Sequence, residues 1–236
     1  MKVLVACEYS GRVRDAFIAK GHDAISCDLL PTDQPGPHYQ GDVFDIIDDS
    51  FDLMICHPPC TFLTGAAEWA FDEVPMINGK PRKLKPETLV GEARREARRE
   101  ALQFVDALWN APISKICLEN PVGVIPKNLP NMPKPQWVQQ HWFGEDASKK
   151  TGLWLKGLPP LIKSNEIPAK VYCCGDDMTG FDLCHICFGK NKSVKRWGNQ
   201  TISGQNNESP GADRWKIRST TPNGLALAMA EQWGSE

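Results

Sequence analysis

The chain has 236 residues, an apolar content of 41% and a formal net charge of −2. This length and composition predict a folded domain with a small appendage and exclude a disordered chain. No run of about 18 apolar residues is present, and charges follow the first strand-like run too soon for a secretory signal. We therefore expect a cytoplasmic protein with no membrane span and no evident obligate protein partner.

The charges are unevenly distributed along the chain. Residues 1–79 contain 13 acidic and 4 basic residues, whereas residues 80–236 contain 16 acidic and 23 basic residues. A small negative net charge argues against a general nucleic-acid binder, but this segregation places any phosphate-binding surface in the later part of the chain.

The first 60 residues alternate between strand-like and helix-like patterns. KVLVACE predicts a buried strand, GRVRDAFIAKG a helix with Val13, Phe17 and Ile18 on its buried side, and HDAISCDLL a second strand. A loop, PTDQPGPHYQ, and the segment GDVFDII precede a third strand, FDLMICHPP. This alternation predicts a parallel α/β sheet, and ligand sites in such sheets lie at the carboxyl ends of the strands.

The remainder predicts fewer, longer elements. Residues 65–86 are expected to be a loop, and LVGEARREARREALQFVDALW an amphipathic helix with Ala93 among its buried positions. Its four arginines are interpreted either as a solvated face with Glu92–Arg95 and Glu96–Arg99 pairs or as phosphate contacts. ISKICLENP and TGLWLKGLPPL predict strands, and STTPNGLALAMAEQW a closing helix.

The cysteines fall into two groups. Cys7, Cys27, Cys56 and Cys117 lie singly in apolar segments, where a reduced thiol behaves as a small hydrophobic side chain. Cys173, Cys174, Cys184 and Cys187 have a spacing that suits zinc, and reduced structural thiols are the alternative.

Cys60 follows two prolines at the end of a predicted strand. Each proline fixes its own φ and restricts the residue before it, so the backbone leading into Cys60 is rigid. A cysteine at a strand end is commonly a buried hydrophobic residue, and Glu119-Asn120-Pro121 at the end of a later strand is commonly a turn.

Several motifs occur in an order that resembles the DNA cytosine carbon-5 methyltransferases, especially the small stand-alone proteins of phages and prophages. The matching segments are CEYSGRVRDAF, Asp28, Gly41-Asp42, HPPCTFLT, LENP, the basic-Thr-x-Leu-Trp-Leu strand and RSTTPNGLALAMA. They cover about residues 1–64, 115–124, 147–160 and 217–233. The resemblance implies a Rossmann-like α/β sheet that uses S-adenosylmethionine.

The resemblance also implies the catalytic residues. Cytosine carbon-5 is a poor nucleophile, so the family adds a thiolate to carbon-6; Cys60 matches that nucleophile. Glu119 matches the glutamate that, held protonated in a dry pocket, shares its proton with ring nitrogen 3 of the base. Lys150 stands where the family has an arginine, and Lys149 is adjacent.

Cofactor-binding residues are expected in the first half of the chain. The first loop offers Cys7, Ser10, Gly11 and Arg12, with fewer glycines than the family has. Asp28 ends the second strand, where an acid can accept hydrogen bonds from both ribose hydroxyls. The resemblance implies that Asp42 binds the adenine amino group and Pro59 walls the pocket. Ser219 and Thr220 are interpreted either as the polar pair that closes the site or as an N-cap of the last helix.

The chain lacks room for the family's target-recognition domain. We expect a catalytic domain in residues 1–160 and 217–236, and a small cysteine-rich, basic insertion in residues 161–216. Residues 189–218 carry 7 bases against 2 acids, with Trp197 and Trp215 between them, a pattern that suits phosphate contact and base stacking.

The sequence thus predicts a DNA methyltransferase that flips cytosine out of duplex DNA and methylates its carbon-5. One alternative is a cytosine-modifying enzyme acting on free nucleotides. Another is a DNA-binding protein on a catalytically silent methyltransferase fold.

Overall fold

The protein is built around a seven-stranded, mostly parallel sheet. The computed structural model describes residues 1–65, 67–173, 176–177, 194–201, 203–206, 216 and 219–235. The strands are β1 (Lys2–Ala6), β2 (Asp23–Asp28), β3 (His38–Gln40), β4 (Leu53–Cys56), β5 (Met76–Ile77), β6 (Lys80–Pro81), β7 (Lys115–Pro121), β8 (Gln136–Gln139), β9 (Lys150–Lys156), β10 (Lys170–Cys173), β11 (Asp176–Asp177) and β12 (Val194–Arg196).

The central sheet has the order β3-β2-β1-β4-β7-β9-β8. The five strands from β3 to β7 are parallel, while β9 is antiparallel to both β7 and β8. This confirms the predicted α/β class and is consistent with a methyltransferase-like fold. Strand order reverses at β1, so the carboxyl ends of β1, β2 and β4 surround one crevice.

Helices cover both faces of the sheet. They are α1 (Arg12–Ala19), α2 (Gly91–Trp109), α3 (Ile125–Asn128) and α4 (Asn223–Trp233). On one face, Val3, Val5 and Ile55 pack against α1 and α4. On the other face, Leu4 and Met54 pack against Val105 and Leu108 of α2. Alternate residues of each strand therefore enter different cores, which explains why the strands read as continuous apolar runs.

The structure corrects two predicted helix faces. In α1, Ile18 was predicted to be buried but is 39% exposed, whereas Arg14, one turn earlier, is fully buried. In α2, Ala93 is exposed and Arg94 is buried. Arg14 is accommodated because its guanidinium donates to the backbone oxygens of Gln34 and Pro35. Arg94 is accommodated because its guanidinium packs against the rings of Phe62 and Phe71.

Several local predictions were also incomplete. The predicted loop at 65–86 contains a 3-10 helix, Glu68–Phe71, and the β5–β6 hairpin. The end of the loop PTDQPGPHYQ forms β3, and β8 was not predicted. Helix α4 begins after Pro222 without a side-chain cap, so Ser219 and Thr220 are not its N-cap.

The cysteine-rich segment lies largely outside the described residues. Cys174, Cys184 and Cys187 fall there, and for Cys173 only the backbone in β10 is described. The zinc site and the division into domains therefore stay predictions. Among the described residues, no cluster of three or more potential ligands forms a metal site, and none of the helices is long and apolar enough to cross a membrane.

Candidate active site

The Pro-Pro-Cys and Glu-Asn-Pro motifs lie side by side because β4 and β7 are parallel neighbours. The side-chain amide of Asn120 donates to the backbone oxygen of Pro58 at 2.8 Å. His57 Nδ1 lies 3.3 Å from Glu119 Oε2. Cys60 lies three residues after His57, and it is exposed. The structure therefore places the thiol and the carboxylate on adjacent segments at the same edge of the sheet.

Glu119 lies in a charged environment. Burial alone would raise its pKa, but the hydrogen bond to His57 and the positive charges of His57 and Lys149 outweigh burial and lower the pKa of Glu119. Its side chain retains 16% exposure, against 7% for His57. Burial favours the protonated Glu119 that the resemblance implies, whereas the contact with His57 and the charge of Lys149 favour the carboxylate.

His57 is a site residue that the motif comparison did not identify. Its Nδ1 faces Glu119, while its Nε2 is buried without a hydrogen-bond partner in the described part of the chain. Its position, between β4 and the two prolines, was visible in the sequence. Its contact with a residue 62 positions away was not.

Lys149, rather than Lys150, faces the carboxylate. Lys149 and Glu119 line the same small cavity. Its other lining residues are Gln140, Thr151, Ser219, Thr220, Thr221, Pro222 and Leu225. Lys150 begins β9 and places its ammonium 4.7 Å from the centre of the Trp137 ring. Lys149, which immediately precedes β9, therefore lies at the cavity with Glu119, whereas Lys150 is directed to Trp137.

The loop after Cys60 is fixed by an arginine of α2. The backbone N–H groups of Leu63 and Thr64 donate to the oxygen of Cys60, which closes a turn. Arg98 donates to the backbone oxygens of Phe62, at 2.9 Å, and Thr64, at 3.3 Å. The hydrogen-bonding groups of Arg98 are therefore used within the protein, where they position the loop that carries the thiol.

The other exposed α2 arginines form the predicted ion pairs. Arg95 binds Glu92 at 2.7 Å, and Arg99 binds both Glu92 and Glu96. The interpretation of this helix as a face with internal ion pairs is favoured over phosphate contact.

Four of the predicted cofactor-binding residues line one cavity of about 140 Å³: Cys7, Asp28, Asp42 and Pro59. Apolar walls come from Leu29, Val43 and Phe104. Asp28 accepts from the backbone N–H of Leu30, and Asp42 from that of Phe44, each through Oδ1. The second oxygen of each carboxylate has no hydrogen-bond partner among the described residues, so both can receive ligand donors.

The two cysteines near these carboxylates are unsuited to nucleophilic chemistry. Burial, and then the negative charge of Asp28, raises the pKa of Cys27 to about 11, and the same causes raise the pKa of Cys7 further. Cys7 thus contributes a cavity wall rather than a reactive thiol.

The first loop has a different role from the one expected. Glu8 is buried and accepts hydrogen bonds from the backbone N–H groups of Val13 (2.7 Å) and Arg14 (3.2 Å) and from the Ser10 hydroxyl. A carboxylate of the chain itself thus occupies the N-terminus of α1, which would otherwise attract an anionic ligand group. The sequence pattern did not identify this acid, although it lies only two residues after the end of β1.

Gly11 and Arg12 complete this turn. Gly11 has φ +72°, and a Cβ there would collide with the guanidinium group of Arg14, so the backbone conformation and the packing of Arg14 both favour glycine. Arg12 is exposed and donates to the backbone oxygen of Thr221 at 3.4 Å. It joins the first loop to the segment that precedes α4.

Ser219 and Thr220 lie between the first loop and Glu119. Their hydroxyls are 3.2 and 3.3 Å from the Tyr9 hydroxyl. Both residues line the cavity that contains Glu119 and Lys149. Ser219 and Thr220 therefore reach the edge of the sheet at which Glu119 lies.

Comparisons with known proteins give little further information. No protein-family model matches the sequence, and no curated protein matches it. One similar solved structure is that of a predicted DNA modification methyltransferase encoded within an E. coli prophage, with a TM-score of 0.37 and 12% identity. The similarity covers 66% of this chain and 46% of that one, so this chain spans less than half of that protein. Similarity at this level is too low to support a functional inference.

Proposed function

We propose that this protein transfers a methyl group from S-adenosylmethionine to carbon-5 of cytosine in DNA, through a covalent adduct with Cys60. The observation that supports this most directly is the junction of the Pro-Pro-Cys loop with Glu119, made by the Asn120–Pro58 and His57–Glu119 contacts. An exposed thiol and a half-buried carboxylate on adjacent segments are the two groups that activation of a pyrimidine ring requires.

The reaction begins at Cys60. Its thiol loses a proton to water, which its exposure permits, and the thiolate adds to carbon-6 of the flipped cytosine. The electron pair moves through the ring, and nitrogen 3 takes a proton. The proposed route for that proton runs from His57 through Glu119, since His57 Nδ1 lies 3.3 Å from Glu119 Oε2.

The adduct is then resolved. When bound, the cofactor would supply an electrophilic methyl group to carbon-5 of the adduct. Water then takes the proton from carbon-5, the electron pair of that C–H bond reforms the 5,6 double bond and expels the Cys60 thiolate, and nitrogen 3 returns its proton to the His57–Glu119 pair. The net change replaces one hydrogen on carbon-5 with a methyl group and releases one proton.

The chain's residues fit the cofactor. The cavity between β1 and β2 has two carboxylates with available oxygens, Asp28 and Asp42, and apolar walls from Leu29, Val43 and Phe104. Carboxylates suit ribose hydroxyls and an exocyclic amino group, and the walls suit a purine ring. The occupied N-terminus of α1 leaves Arg12 as an exposed cation for an anionic end of the ligand.

We expect Lys149→Ala to lower the rate of methyl transfer on the order of tenfold or more, because Lys149 stabilises charge at Glu119. Lys150→Ala, the matched control, should leave the rate within about twofold, since its ammonium contacts Trp137 instead. Steady-state kinetics of the two variants with labelled cofactor provide the measurement. A larger loss for Lys150→Ala would restore the family assignment of that position.

Polymeric DNA is the expected substrate because the basic residues are too many and too scattered for one nucleotide. Activity on DNA should fall steeply as salt rises from about 50 to 200 mM, since each neutralised phosphate releases counterions. The test supplies dCMP, dCTP and mixed-sequence DNA side by side with labelled cofactor. Preferential transfer to a mononucleotide with little salt dependence would support the free-nucleotide alternative. DNA binding without any transfer would support the silent-fold alternative.

A further inference from the structure

The β5–β6 hairpin carries an exposed apolar tip. Met76 and Ile77 are 49% and 47% exposed. Asn78 and Gly79 both have positive φ, which gives the tight two-residue turn typical of hairpins. A short hairpin that presents two large apolar side chains to water gains nothing for folding, so these side chains are suited to contact with a partner.

The hairpin and the residues that follow it carry lysines with no ion pair in the described part of the chain. Lys80 and Lys83 are exposed and form no ion pair within the described residues, and Lys85 lies 3.9 Å from Glu87. The α2 arginines, by contrast, are engaged by Glu92, Glu96 and the loop carbonyls. Within the part of the chain that the structure describes, these hairpin lysines are therefore available for phosphates.

The base of the hairpin is connected to the loop that carries Cys60. Arg82 donates its backbone N–H to Pro75 at 2.8 Å, and its guanidinium lies 4.3 Å from the Trp69 ring centre. Arg98, which holds the backbone of Phe62 and Thr64, also lies 4.0 Å from the ring centre of Phe71. Trp69 and Phe71 belong to one short helix, so the hairpin and the catalytic loop share a support.

We infer that the β5–β6 hairpin binds duplex DNA, with Lys80 and Lys83 on phosphates and Met76 and Ile77 inserted beside the opened base pair. This inference rests on the proposed function. The inference is based on an exposed apolar pair, Met76 and Ile77, followed in the chain by exposed lysines, and on the connection of this hairpin to the loop that carries Cys60. Apolar side chains that enter between bases, together with cations on phosphates, are a general means of unstacking a base step, and they reduce the cost of removing a base from the helix. The hairpin thus supplies duplex opening that a target-recognition domain would otherwise provide.

The wedge is tested with the double variant Met76→Ala/Ile77→Ala, and Ile162→Ala, another exposed apolar residue, is the control. Methyl transfer to fully paired DNA should fall on the order of tenfold or more, because unstacking is no longer compensated. On DNA with the target cytosine opposite an abasic position, the variant should match the wild type within about twofold, since that base is already unpaired. An equal loss on both substrates, or no loss on either, would contradict the wedge.

The phosphate contacts are tested by binding alone. For Lys80→Ala/Lys83→Ala, the slope of log binding constant against log salt should be smaller by about two than in the wild type, about one for each lost cation. Lys20→Ala, which removes an exposed lysine from the end of α1, should leave the slope unchanged. An unchanged slope in the double variant would overturn the inference even if the wild type methylates DNA. A reduced slope with no methyl transfer by the wild type would contradict the proposed function but not the hairpin contact.

The competing occupant is a second copy of this chain. Sedimentation of the wild type without DNA should give a monomer at micromolar concentration. A dimer that Met76→Ala/Ile77→Ala dissociates would assign the apolar tip to self-association and would overturn the DNA contact.

Discussion

Cys60→Ser is expected to abolish methyl transfer while S-adenosylmethionine binding is retained. A serine hydroxyl is not ionised near neutral pH and is a far weaker nucleophile toward carbon-6, whereas a thiol with an ordinary pKa near 8.5 is partly ionised. The cofactor cavity is built from other residues, of which Pro59 is the nearest in sequence. The loss should reach the detection limit of a labelled-methyl assay.

A trapping experiment separates chemistry from binding. DNA that contains 5-fluorocytosine cannot lose a proton from carbon-5, so wild-type protein should remain covalently attached and migrate as a larger species on a denaturing gel. Cys60→Ser should form no such species, and Cys56→Ser, a matched variant of the fully buried neighbour, should still form it if folded. Full activity of Cys60→Ser would refute the covalent mechanism.

Glu119→Gln is expected to reduce the rate of methyl transfer on the order of 10²-fold or more, the effect of losing a positioned acid. The amide keeps the shape of the side chain but cannot pass a proton from His57 to nitrogen 3. Circular dichroism should show an unchanged fold, because Asn120 still donates to Pro58. Unchanged kinetics would reassign Glu119 to a structural role.

His57→Asn tests the source of that proton. Without the imidazole, the hydrogen bond and charge that lower the pKa of Glu119 are lost, while burial still raises it. The carboxyl should therefore protonate at a higher pH than in the wild type, which carbon-13 NMR of labelled glutamate would detect. Among the described residues, Lys149, Cys56 and Cys117 are also close enough to interact electrostatically with Glu119. A Glu119 resonance that titrates as in the wild type would exclude His57 as its partner.

The local signals in the sequence determined the framework of the molecule. Short apolar runs predicted β1, β2, β4, β7 and β9, because strands covered on both faces need apolar side chains. The ends of β2, β4 and β7 then located Asp28, Cys60 and Glu119 at one edge of the sheet, since parallel strands share their direction.

Tertiary structure alone decided which polar groups meet there. The pairing of His57 with Glu119 depends on the register of β4 against β7, which no local pattern records. Lys149 lines the cavity with Glu119, whereas Lys150 lies against the Trp137 ring. Glu8 accepts hydrogen bonds at the N-terminus of α1, and Arg98 donates to the loop after Cys60, because the fold brings these groups within hydrogen-bonding distance of backbone atoms far from them or outside their own element.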